Sequence, residues 1–183
     1  LSLALMASGI ERKDAVFVPT FTFAATAEAP ALLGATPVFV DISEDDFNLD
    51  VALLEEAIET AKKNGLRPAA IIAVDLFGQP ADYESIQAIA DKHGMIVIAD
   101  AAQSFGGTLH GKRVGTLAAI TTTSFFPAKP LGCYGDGGAV FVKDAGQAAR
   151  VRSCMNSSIS FASFSRRASR LCSSNSAIVS SSL

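Results

Sequence analysis

Apolar runs alternating with amphipathic stretches of helical length predict an α/β fold, a three-layer α/β/α arrangement around a mostly parallel sheet. Residues 69–74 and 95–99 are continuous apolar runs, as a parallel strand buried on both faces requires. The stretches between such runs carry helix signals, with Asp50 and Asp82 as starts and Gly65 and Gly94 as stops. Crossovers of this length return successive strands in parallel and right-handed.

The elements follow in order. Residues 1–7 read as a helix ending at Gly9, and residues 15–18 as a strand closed by Pro19, which has no N–H to donate. A helix is expected over 22–33, stopped by Gly34, and a strand over 36–40. Asp50 caps a helix over 51–63 that ends at Asn64 and Gly65. Asp82 caps another over 83–93. Strands over 95–99 and 119–123 end at Asp100 and Ser124. A hairpin-like return through Gly137 and Gly138 leads into a strand over 139–142. In open α/β sheets ligands bind outside the carboxyl ends of the strands, so Asp100 and Ser124 are expected to face one cleft.

Lys129 lies beyond Ser124 in the segment Ser124-Phe125-Phe126-Pro127-Ala128-Lys129-Pro130-Leu131-Gly132. A lysine in an apolar turn bounded by Gly and Pro suits Schiff-base chemistry, because partial desolvation favours the nucleophilic amine. Pyridoxal phosphate (PLP) needs a lysine for its aldehyde, an acid for its pyridinium and donors for its phosphate. Lys129, Asp100 and Ser124 are candidates for these parts. Asp75 also ends a strand and rivals Asp100, but only Asp100 has a glutamine, Gln103, three residues on. Gly135-Asp136-Gly137-Gly138 opens no helix and so is not a dinucleotide fingerprint. His93 and His110 have no Cys or His neighbour in sequence, so no metal site is expected.

Composition narrows the partners. The 183 residues carry a formal net charge of -3, which gives no reason to expect nucleic acid or an anionic membrane. No run of 18 apolar residues occurs, and the basic, apolar, small-residue order of a signal peptide is missing. The 3 cysteines, Cys133, Cys154 and Cys172, have no metal spacing and fit a reducing cytoplasm, with Cys133 expected as a small packed residue.

The ordered blocks Pro19-Thr20-Phe21-Thr22-Phe23-Ala24-Ala25-Thr26-Ala27-Glu28, Leu33 to Asp41, Asp75-Leu76-Phe77-Gly78-Gln79, Asp100-Ala101-Ala102-Gln103-Ser104 and Ser124 through Ala139 resemble the DegT/DnrJ/EryC1/StrS family of sugar aminotransferases. That resemblance implies the large domain of a PLP-dependent transferase of fold type I. It also implies that Lys129 holds the cofactor and moves the proton between the substrate carbon and the cofactor's C4′ carbon. Asp100 would pair with the pyridine nitrogen, Gln103 with the phenolic oxygen and Ser124 with the phosphate, while Phe23 would lie over the ring face. The partners it implies are a nucleotide-linked keto sugar, an amino-acid donor expected to be glutamate, and a second subunit in a homodimer. Pro130-Leu131-Gly132-Cys133-Tyr134-Gly135 is most similar to members acting on UDP-linked 3-keto uronic acids in surface-polysaccharide synthesis.

The resemblance runs over residues 1–152, expected as a partial PLP-binding large domain. Residues 153–183 contain no Asp, Glu or Lys and are rich in serine, and are expected as an aberrant or disordered tail. Two alternatives bear on function. A PLP-dependent sugar dehydratase would carry histidine in place of Lys129, and a partial domain could be a catalytically inactive piece with at most a binding role.

Overall fold

The computed structural model describes residues 1–165 and 176–181. Strands β1 (Asp14–Pro19), β2 (Thr36–Val40), β3 (Arg67–Val74), β4 (Ile96–Asp100), β7 (Ile120–Ser124), β8 (Gly137–Val142) and β9 (Ser176–Ser181) form a 7-stranded sheet in the order β2-β1-β3-β4-β7-β8-β9. Thr108–Leu109 and Lys112–Arg113 (β5 and β6) form a separate antiparallel ribbon. The pairs from β2 to β7 are parallel, and the sheet reverses where β7 meets β8.

Strand residues alternate between two cores, as the period of two dictates. Val16, Val18, Ala70, Ile72 and Val74 join one core, with α1 (Ser2–Ala7) and α2 (Ala25–Leu32) above it. Ala15, Phe17, Ile71 and Ala73 join the other, beneath α3 (Leu54–Lys63) and α4 (Tyr83–His93). This is the three-layer arrangement expected from the sequence. Helix α4 shows why the boundary signals were readable: Asp82 accepts the Ser85 N–H at 3.1 Å, and Gly94 closes the helix at φ 65.

Several boundaries differ from expectation. The helix expected over 22–33 begins only at Ala25, because residues 20–24 are used as a loop, pinned by a 2.9 Å contact between the Thr22 and Thr26 hydroxyls. The helix after Asp50 opens as a 3-10 turn, Val51–Leu53, in which Asp50 accepts the Ala52 N–H.

The expected break between residues 152 and 153 does not fall at an element boundary. Helix α5 (Ala145–Ser165) runs across it, and β9 adds a strand parallel to β8. Ala148 and Val151 are buried on the α1 side, and Cys154 packs beside them, so this apolar spacing reaches two residues past the expected boundary. The remainder of that expected tail, residues 166–175 and 182–183, lies outside the described residues.

Candidate functional site

The carboxyl ends of β4 and β7 and the amino end of the antiparallel β8 meet on one edge of the sheet. A cavity of about 800 Å³ opens there, within the range of ligand sites. Phe23, Asp100, Gln103, Ser124 and Lys129 all line it, so the structure brings together every site residue singled out from the sequence.

Asp100 is the last residue of β4 and is 9% exposed. Its Oδ1 accepts the Ala102 N–H at 3.1 Å, and the carboxylate makes no other side-chain hydrogen bond or ion pair among the described residues. Burial raises its pKa above the ordinary carboxylate value, against the Ala102 N–H and the Lys129 ammonium, which lower it. The rival Asp75 is fully buried and outside the cavity lining. It accepts from the Ala81 N–H at 3.1 Å, the Tyr83 hydroxyl at 2.6 Å and the Ser104 hydroxyl at 2.5 Å. Asp75 thus ties the β3 end to the start of α4, and Asp100 is the carboxylate left facing the cavity.

Gln103 follows β4 in a turn, and its Oε1 accepts the Phe77 backbone N–H at 2.8 Å. Ser124 ends β7, paired with Gly138, and its Oγ accepts the Phe126 N–H at 3.2 Å, which leaves the hydroxyl proton to donate elsewhere. Lys129 is half-buried in the turn between β7 and β8, its N–H bonded to the Phe126 carbonyl at 2.8 Å, and its ammonium has no ion pair among the described residues. Phe23 is 73% exposed in the loop before α2, so it is a ring presented to the cavity and not a packed core residue.

Other features were not foreseen. Thr22, Thr123 and Asp136 also line the cavity. Each neighbours a residue or block picked out from the sequence, but only the fold shows which neighbour turns inward. Cys133, expected to be packed, is exposed, its thiol donating to the Gly135 carbonyl at 3.3 Å. The Pro-Leu-Gly turn lifts it off the core.

A mostly parallel α/β sheet with a lysine-bearing hairpin over its carboxyl edge is the large-domain architecture of fold type I PLP enzymes. The chain belongs to the DegT/DnrJ/EryC1/StrS aminotransferase family, whose model matches residues 1–180. It is 53% identical over 152 residues to a UDP-2-acetamido-2-deoxy-3-oxo-D-glucuronate aminotransferase from Pseudomonas aeruginosa, covering 83% of this chain and 41% of that protein. A DegT DnrJ EryC1 StrS aminotransferase from Brucella abortus superposes with a TM-score of 0.82 at 55% identity, over 84% of this chain and 41% of the other. NtdA from Bacillus subtilis, solved with bound cofactor PMP, superposes with a TM-score of 0.74 at 33% identity, over 82% of this chain and 32% of the other. The chain therefore spans about two fifths of the length of the first two proteins.

Proposed function

We propose that this chain carries the cofactor-binding half of a PLP-dependent aminotransferase. It would move an amino group from an amino acid, glutamate in the simplest case, to a keto group on a nucleotide-linked sugar. The observation that carries the reading is the convergence of Lys129, Asp100, Gln103, Ser124 and Phe23 on one cavity. The donor set fits PLP: an amine, a buried carboxylate with one internal hydrogen bond, an amide whose oxygen is already engaged, and a hydroxyl free to donate.

Bound there, PLP supplies an electron sink for the carbon next to the transferred nitrogen. The chain's residues do the rest. The Lys129 amine would hold the cofactor through its aldehyde and would serve as the group that takes and returns a proton at the substrate carbon. Asp100 would keep a proton on the ring nitrogen, and its burial would strengthen that pairing by excluding water. Gln103 would offer its amide N–H to the ring oxygen, Ser124 its hydroxyl to the phosphate, and Phe23 an aromatic face to the ring.

The P. aeruginosa relative favours a UDP-linked 3-keto uronic acid as acceptor. We place the enzyme in surface-polysaccharide synthesis, in the cytoplasm, working as a homodimer. No described helix is long and apolar enough to cross a membrane, which agrees with that placement.

The experiment is a transamination assay on the chain and on a version extended to the relatives' length. Glutamate plus a UDP-linked 3-keto uronic acid should release 2-oxoglutarate in the extended protein. Release with neither amino donor nor keto sugar preference, or none in either protein, would overturn the reading.

A further inference from the structure

Phe77 adopts a left-handed backbone conformation, φ 55 and ψ 19, immediately before Gly78 at φ +84. For a bulky residue this conformation is uncommon and strained. Glycine would occupy it freely, yet the chain places a phenylalanine there. The turn also closes tightly on its neighbour, since a Cβ at Gly78 would stand 3.2 Å from the Gln103 carbonyl oxygen.

Besides closing on itself through the Gly78 and Gln79 N–H groups, the turn presents the Phe77 N–H to Gln103 Oε1 at 2.8 Å. A side-chain amide has one acceptor end and one donor end. With its oxygen committed to Phe77, Gln103 has its N–H2 group left for the cavity it lines, and that group has no partner among the described residues. Outside the turn, the Phe77 ring sits edge-to-face against Phe21 and Phe47, each centroid 6.2 Å away, so the ring braces the strained backbone from the solvent side.

We infer that Phe77 is a positioning residue: its left-handed turn supplies the N–H that fixes which end of the Gln103 amide faces the cavity. The ligand atom at that point must then be a hydrogen-bond acceptor. Its identity as the phenolic oxygen of PLP rests on the function proposed above, while the orientation of Gln103 does not.

Amide hydrogen exchange on the cofactor-free chain and PLP titration followed by absorbance separate the two. Gln103→Ala should speed exchange at the Phe77 amide about tenfold and weaken PLP binding by a similar factor. Gln103→Glu keeps an acceptor for Phe77 but presents no donor, so it should leave Phe77 exchange slow, weaken PLP binding about as much, and shift the pH midpoint of the bound cofactor's absorbance. Phe77→Val, strained at this φ, should behave as Gln103→Ala does, whereas Phe77→Gly should stay within about twofold of the parent in PLP affinity. Unchanged Phe77 exchange in Gln103→Ala, or full PLP affinity in Gln103→Glu, would overturn the inference. So would Phe77→Gly losing as much affinity as Phe77→Val. If Phe77→Val does not fold, the Gln103 pair decides. If no variant or parent binds PLP, the functional proposal falls, and the exchange arm still decides the Phe77 to Gln103 contact.

Discussion

Asp75 and Asp100 leave adjacent strands side by side, the Asp75 N–H donating to the Asp100 carbonyl at 3.0 Å, yet their carboxylates have opposite surroundings. Asp75 is saturated by the Ala81, Tyr83 and Ser104 donors, whereas Asp100 has only the Ala102 N–H and faces the cavity. Substitutions should separate them. In the protein extended to family length, Asp100→Asn should retain cofactor and lose transamination on the order of a hundredfold or more. Asp75→Asn should cost about 1–3 kcal/mol of stability by leaving buried donors unpaired and have a much smaller effect on turnover. Steady-state rates and thermal melts read both, and the reverse ranking would mean that Asp75 holds the catalytic role.

The raised pKa of Asp100 makes a prediction for the cofactor-free chain. Because burial, the largest cause, raises the folded pKa, the proton is held more tightly in the folded state than in the unfolded one. Stability from this group is therefore present below the unfolded value of about 3.9 and is lost as pH rises through the folded value. Asp100→Asn removes that loss. Melting curves should show the variant more stable than the parent near neutral pH, with the difference shrinking toward pH 3. An equal or growing difference in acid would contradict this account.

Lys129 should be the lysine that reacts with the cofactor. Borohydride reduction of the chain with PLP should place a stable adduct on the peptide holding Lys129 and not on those holding Lys112 or Lys143. Label spread evenly over the surface lysines in the mass spectrum would refute it.

The turn that carries Lys129 closes on itself tightly. A Cβ at Gly132 would stand 2.5 Å from the Pro127 carbonyl oxygen, a backbone atom that cannot swing aside. Gly132→Ala should therefore destabilise by about 1–3 kcal/mol and lower the yield of borohydride labelling at Lys129, since the turn must shift. Normal labelling in a normally stable variant would show that the turn is looser than its geometry.

The surface makes its own prediction. Leu32 is 80% exposed, and Phe39, Phe77 and Phe126 are each more than half exposed. Exposed large apolar side chains favour association. Expressed as 183 residues, the chain should aggregate or self-associate, read by light scattering, and should show no measurable transamination. A monodisperse monomer with robust 2-oxoglutarate release would overturn this expectation.

Most of the α/β frame was legible because its signals are local. Apolar runs such as residues 69–74, the Asp82 cap and the Gly94 stop each act through near neighbours in the chain. The convergence of Asp100, Gln103, Ser124 and Lys129 was legible too, since strand ends on one sheet edge must share a crevice. The hydrogen bond between Phe77 and Gln103 was not, because it joins residues 26 apart through a strained turn that no residue pattern announces. Helix α5 went unread because no element was assigned to residues 145–152 and the charge depletion from residue 153 onward was read as disorder, while the spacing of Ala148, Val151 and Cys154 against α1 was the signal that mattered.

The reversal between β7 and β8 has a consequence for how such a site diversifies. Ser124 pairs with Gly138, and the Phe125 N–H reaches the Gly137 carbonyl at 2.8 Å, so the segment bearing Lys129 is tied by both feet to neighbouring strands. Beyond the close contact of Gly132 with Pro127 and the Cys133 N–H bond to the Phe125 carbonyl, Tyr134 and Gly135 can be lengthened or rewritten while both feet stay in register. Novelty in what the site accepts can therefore accumulate in a replaceable insert, inherited separately from the strand ends beneath it.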